Sequence, residues 1–93
     1  MDEQKRESYL SRSAVVIEQV QQCIASGLEG VSTEELEYFL NVLIRMNEAV
    51  KTGNMPPSER RYRELTGLIM DHWPWDNPIV NSITGLEEMY CNL

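Results

Sequence analysis

Apolar side chains return every three or four positions along most of this chain, and clusters of glycine and proline interrupt the pattern. This spacing places side chains on one face of an α-helix. The first segment, residues 3–26, is followed by Gly27 and Gly30, which favour a left-handed helix end. Its apolar stripe consists of Leu10, Ala14, Ile17, Val20 and Ile24.

The second segment opens with a helix-start signal. Ser32 precedes Glu35 by three residues, the spacing of a capping box in which the serine oxygen accepts from the Glu35 backbone N–H and the glutamate reaches back. Lys51 suits the last turn because its charge complements the negative end of the helix dipole, and Gly53-Asn54 ends the segment. The apolar stripe is Leu36, Phe39, Leu40, Leu43, Met46 and Val50.

The third and fourth segments each open at proline, which fits a first helical turn. Pro56-Pro57 begins the third, Pro74 ends it, and Asn77-Pro78 begins the fourth with asparagine as the cap. The stripes are Tyr62, Leu65, Ile69 and Trp73, then Ile79, Ile83, Leu86 and Tyr90. Four amphipathic helices with short links predict an all-α protein, either a compact four-helix bundle or two packed helical hairpins, in a single domain over residues 1–93.

The chain offers little catalytic chemistry. It has one histidine and two cysteines, and His72, Cys23 and Cys91 belong to no nucleophile, base or metal-ligand motif. The cysteines are expected to stay free and to act as small apolar residues. The sequence therefore predicts no catalytic residue, no metal site, no cofactor and no enzymatic activity.

The net charge of −7 indicates which class of partner the protein binds. Phosphate binding needs a basic surface, so this charge argues against general nucleic-acid binding and favours a basic protein partner. Residues 64–93 contain acids but no lysine or arginine. The charged N-terminus precedes no apolar run of signal-peptide or membrane-span length, so we expect a cytoplasmic protein that does not bind membranes. The compactness of the chain favours a bacterial or phage origin.

The basic cluster Arg60, Arg61 and Arg63 lies early in the third predicted helix, where positive charge opposes the helix dipole. Such a local conflict marks either a contact with an anion or an acidic partner, or arginines that pair with acids of the same chain. An early position on a helix also suits contact with nucleic-acid bases, which gives a third interpretation.

Two tryptophans flank Pro74 in the connection between the third and fourth helices. We expect Trp73 to close the core. Trp75 either packs over the start of the fourth helix or serves as an anchor in an interface, where tryptophan dominates binding energy.

The leading hypothesis is a small acidic helical protein that binds and inhibits or regulates another protein. In size, acidity and helical plan the chain resembles immunity proteins, antitoxins and antirepressors, a similarity of type that assigns no residue. The expected contact residues are Trp75, Tyr90, Asp71, Asp76, Glu87 and Glu88, with the arginine cluster as an addition.

A second hypothesis is a structural module that forms a homodimer, because the stripes of the first two helices are wide enough for a core and a dimer contact. The weaker third is a nucleic-acid-binding regulator that uses the arginines.

Overall fold

The computed structural model describes residues 2–57, 64–74 and 76–93. Within these ranges the chain is all-α and compact, as predicted, and contains no strand beyond one isolated bridge between Leu28 and Val31. The helices are α1 (Glu3–Ser26), α2 (Thr33–Thr52), α3 (Glu64–His72) and α4 (Pro78–Cys91).

The helix ends follow the local sequence signals. Ser32 Oγ accepts a hydrogen bond from the Glu35 backbone N–H at 3.1 Å, and Asn77 Oδ1 accepts from the Ile79 N–H at 3.0 Å. Gly53 adopts the left-handed conformation at φ 76° and ψ 8°. Gly27 has the expected positive φ of 87°, but its ψ of 153° is extended, so α1 ends without the left-handed cap that was predicted.

Hydrogen bonds show that α1 and α2 form an antiparallel hairpin. The guanidinium of Arg6, in the first turn of α1, donates to the carbonyl oxygens of Val50 at 3.2 Å and Lys51 at 2.8 Å, in the last turn of α2. These bonds satisfy carbonyls that the helix itself leaves without partners.

The fourth helix runs antiparallel to α1 along its other flank. Asp2 and Leu93 line one groove between these helices, whereas Ser26 and Pro78 line another at the opposite end. The α1–α2 turn and the α3–α4 connection therefore lie at the same end of the bundle.

The buried face of α1 agrees with the predicted stripe only in part. Val20 is fully buried as predicted, Leu10, Ile17 and Ile24 are partly buried, and Ala14 is exposed. The centre of the buried face is formed by Tyr9, Ser13 and Val16 together with Val20, because α1 is covered by α2 on one flank and α4 on the other. The stripes of α2 and α4 are confirmed, with Leu40 only partly buried.

The third helix is confirmed in its second half. Pro56 and Pro57 are not helical, residues 58–63 lie outside the described ranges, and the described helix starts at Glu64. Trp73 follows the helix, is 2% exposed and stacks on Phe39 with ring centroids 4.5 Å apart. Trp73 thus closes the core, as the sequence predicted.

Candidate interaction surface

Charge is segregated along the bundle. We call one end of the bundle the acidic end. It holds the α1–α2 turn, the start of α4 and the adjoining halves of the helices. Its described part contains no lysine or arginine. Its acidic residues are Glu18, Glu29, Glu34, Glu35, Glu37, Asp71 and Asp76. The described basic residues, Lys5, Arg6, Arg12, Arg45 and Lys51, all lie toward the other end, where acids accompany them.

The topology produces this segregation from two stretches of sequence. Residues 13–44 and 64–93 contain no lysine or arginine, and the antiparallel helices bring their acidic parts to one end. Glu34 and Glu35 stand in the first turn of α2, where the positive end of the helix dipole stabilises negative charge. The acidic end is therefore compatible with a stable fold.

Two of the predicted contact residues lie on this surface. Asp71 is exposed in the last turn of α3, and Asp76 is exposed just before α4. Trp75, which stands next to Asp76 in the sequence, lies outside the described residues. The arginine cluster 60–63 also lies outside them, so its contact and nucleic-acid interpretations stay predictions.

Glu88 is exposed but lies at the opposite end of α4. Glu88 follows Asp76 by twelve positions, which correspond to about 18 Å along a helix. Glu88 lines a groove of about 600 Å³ between the start of α1 and the end of α4, together with Lys5, Met89 and others. The structure therefore does not bring Glu88 together with the aspartates.

The expectation that Glu87 and Tyr90 lie on an exposed contact surface is corrected by their burial. Glu87 is 2% exposed, and its carboxylate accepts from the backbone N–H groups of Leu65 at 2.9 Å and Thr66 at 2.8 Å, and from the Thr66 hydroxyl at 2.7 Å. It therefore caps the start of α3 from α4. The sequence holds a signal for this burial, because Glu87 lies four residues after Ile83, on the same helix face.

Tyr90 is 8% exposed and packs against the fully buried Tyr9, with ring centroids 5.9 Å apart. Burial, with smaller contributions from Tyr90 and Glu87 nearby, raises the pKa of Tyr9 well above its usual value. The Tyr9 hydroxyl faces Ser13 one turn away, but the two oxygens do not reach hydrogen-bond geometry. These groups form a polar patch inside the core between α1 and α4.

Two exposed apolar residues in the same half of the bundle do not belong to the predicted set of contact residues. Tyr38 on α2 is 42% exposed and donates its hydroxyl hydrogen bond to Glu64, which raises the pKa of Tyr38. Met70 on α3 is 62% exposed and precedes Asp71. Both residues lie outside the predicted core stripes. An apolar residue outside its helix's stripe is the sequence signal for an exposed apolar side chain.

The two cysteines join no metal-binding group in the part of the chain that is described. Cys23 and Cys91 are partly buried, and burial raises the pKa of the Cys23 thiol. No group of three or more histidine, cysteine, aspartate or glutamate side chains that could hold a metal ion occurs among the described residues.

Comparisons with known proteins add no identity. No protein-family model matches the chain, and a search of curated proteins finds no match. Within the described residues, no helix has the length and apolar character needed to cross a bilayer.

Proposed function

We propose that this protein is a non-enzymatic binding protein that blocks or regulates a basic protein partner through its acidic end. The observation that carries the proposal is the segregation of charge, with Glu29, Glu37 and Asp76 among the exposed acids that face no described lysine or arginine at that end. A surface of one sign attracts partners of the opposite sign and rejects partners of the same sign.

Exposed apolar side chains on the same half support contact with a protein. Tyr38 and Met70 are 42% and 62% exposed, and tyrosine and methionine are enriched in protein interfaces. The acids would guide association and set its specificity, while the apolar side chains would supply buried area. Trp75 stands beside Asp76 in the sequence and is proposed to contribute to the same contact.

The experiment compares two variants that lose equal charge at opposite ends. The acidic-end variant carries Glu29→Gln, Glu37→Gln and Asp76→Asn, all at exposed positions, and none of the three is itself a helix-cap residue. Each variant and the wild type is immobilised and exposed to a soluble extract of the native host at several salt concentrations. The retained proteins are identified by mass spectrometry, then purified and titrated.

The matched control carries Glu7→Gln, Glu48→Gln and Glu88→Gln, which are exposed at the other end. We expect one stoichiometric partner that the wild type and the control retain, and that the acidic-end variant binds at least tenfold more weakly. Circular dichroism verifies that both variants are folded. A partner that both variants bind equally would contradict the role of the acidic end, and absence of any stoichiometric partner would contradict the proposed function.

A further inference from the structure

The bundle consists of two hairpins, and a charged side chain ties each of them internally. In the first hairpin, formed by α1 and α2, the guanidinium of Arg6 donates to two carbonyl oxygens at the end of α2, at 2.8 and 3.2 Å. In the second hairpin, formed by α3 and α4, the carboxylate of Glu87 accepts three hydrogen bonds of 2.7–2.9 Å from Leu65 and Thr66. We call the contact surface between the two hairpins the seam.

The seam holds four buried polar atoms that have no hydrogen-bond partner among the described residues. Tyr9 Oη and Ser13 Oγ lie between α1 and α4, and Gln19 Oε1 is buried beside the groove where α1 meets the start of α4. Trp73 Nε1 is buried where the indole stacks on Phe39 of α2. A buried polar atom of this kind destabilises the contact that covers it, because the atom regains hydrogen bonds to water when the contact opens.

Charge also opposes closure of the seam. Residues 2–57, which contain the first hairpin, carry nine acidic and five basic residues. The described residues of the second hairpin carry five acidic residues and no lysine or arginine. Both hairpins are therefore net negative, and two bodies with the same sign of charge repel one another. Burial of apolar side chains holds the seam closed against this repulsion.

The second hairpin has the weaker helices. They span 9 and 14 residues, against 24 and 20 in the first hairpin, and short helices depend on tertiary contacts. Gly67 is exposed inside α3, where glycine is less favourable than alanine. A Cβ at this position would meet no atom within 4 Å, so packing does not require the glycine. Asp71 places negative charge in the last turn of α3, at the negative end of the helix dipole.

We propose that the second hairpin opens reversibly from the first along the seam, while α1 and α2 stay folded against one another. Opening divides the acidic end, because Asp71 and Asp76 belong to the second hairpin whereas Glu29 and Glu37 belong to the first. It also uncovers core side chains such as Phe39. Elements that move when a protein binds its ligands come from the least stable part of the fold. The proposal concerns the protein alone and does not depend on the binding of a partner at the acidic end.

Native-state hydrogen exchange tests the proposal. Exchange of the backbone amides is followed by NMR in deuterated buffer, with urea from zero to just below the unfolding transition. In the wild type we expect the slowest amides of α3 and α4 to exchange at least tenfold faster than the slowest amides of α1 and α2. One common rate for the slowest amides of all four helices would overturn the proposal, because the seam would then open only on global unfolding.

Two variants identify the helices that open together, and circular dichroism verifies that both are folded. Gly67→Ala adds a Cβ in open space on α3 and should slow exchange in α3 and α4 by the same factor, about fivefold. Ala14→Gly weakens the exposed middle of α1. It should accelerate the slowest amides of α1 and α2 about fivefold and leave α3 and α4 unchanged, because α1 stays folded when the seam opens. Slowing of α3 alone by Gly67→Ala, or equal acceleration of all four helices by Ala14→Gly, would overturn the proposal.

Discussion

Truncation of Trp73 measures how far the stability of the bundle depends on the contact between the α3 segment and α2. The side chain is 2% exposed and stacks on Phe39 with centroids 4.5 Å apart. Replacing a buried tryptophan by alanine costs about 3–5 kcal/mol. A domain of 93 residues has a free energy of unfolding of about 5–14 kcal/mol, so Trp73→Ala is expected to remove a large part of it.

The variant Trp73→Phe distinguishes the contribution of the aromatic stack to stability from that of the rest of the indole side chain. A phenyl ring keeps an aromatic pair with Phe39, worth about 0.5–1.5 kcal/mol, and removes an indole N–H that has no hydrogen-bond partner among the described residues. A buried donor without a partner costs about 1–3 kcal/mol, which offsets the lost ring volume. We therefore expect a net change within about 1 kcal/mol of zero. Urea unfolding followed by circular dichroism measures both variants, and an equal loss for phenylalanine and alanine would refute this reasoning.

Three further substitutions test other features. Glu87→Gln weakens a carboxylate cap made of charge-assisted hydrogen bonds and should lower the free energy of unfolding by about 1.5–3 kcal/mol, whereas the exposed control Glu88→Gln should change it by less than about 0.5 kcal/mol in the same urea titration. Because the folded state raises the pKa of Tyr9, folded chains keep a proton that unfolded chains lose, so stability falls as the pH rises above about 10. Tyr9→Phe should make stability fall less steeply with pH in thermal melts between about pH 9 and 12. An unchanged pH dependence would contradict the assignment of this loss to Tyr9. Trp75→Ala should leave the melting temperature unchanged and weaken partner binding roughly thirtyfold, or about 2 kcal/mol, while a lower melting temperature would place the ring in the core.

The helices could be predicted from local signals because their ends depend on neighbouring residues. The caps at Ser32 and Asn77 form as expected, and the stripes of α2 and α4 are buried. The stripe of α1 was correct at Val20 but missed Tyr9 and Val16, because a helix covered on two flanks buries the side chains between its neighbours. Which neighbours cover a helix is a property of the tertiary arrangement.

The candidate surface was predictable only in part for the same reason. Asp71 and Asp76 are exposed at the acidic end, but Glu87 and Glu88, adjacent in the sequence, have opposite environments because helix neighbours point about 100° apart. The acidic end itself combines residues from α1, α2, α3 and the start of α4, and their proximity depends on the antiparallel order of the helices. Composition revealed the acidic excess, and the fold revealed its location.

The cap on α3 has a consequence for the order in which the chain acquires its structure. The helix spans nine residues, too few to be stable alone in water, and the carboxylate of Glu87 that binds its first N–H groups follows Leu65 by 22 positions. During synthesis α3 emerges well before this carboxylate, whereas the α1–α2 hairpin is already complete. We therefore expect the third helix to become stable when α4 docks, and these two helices to enter the native state as one cooperative unit.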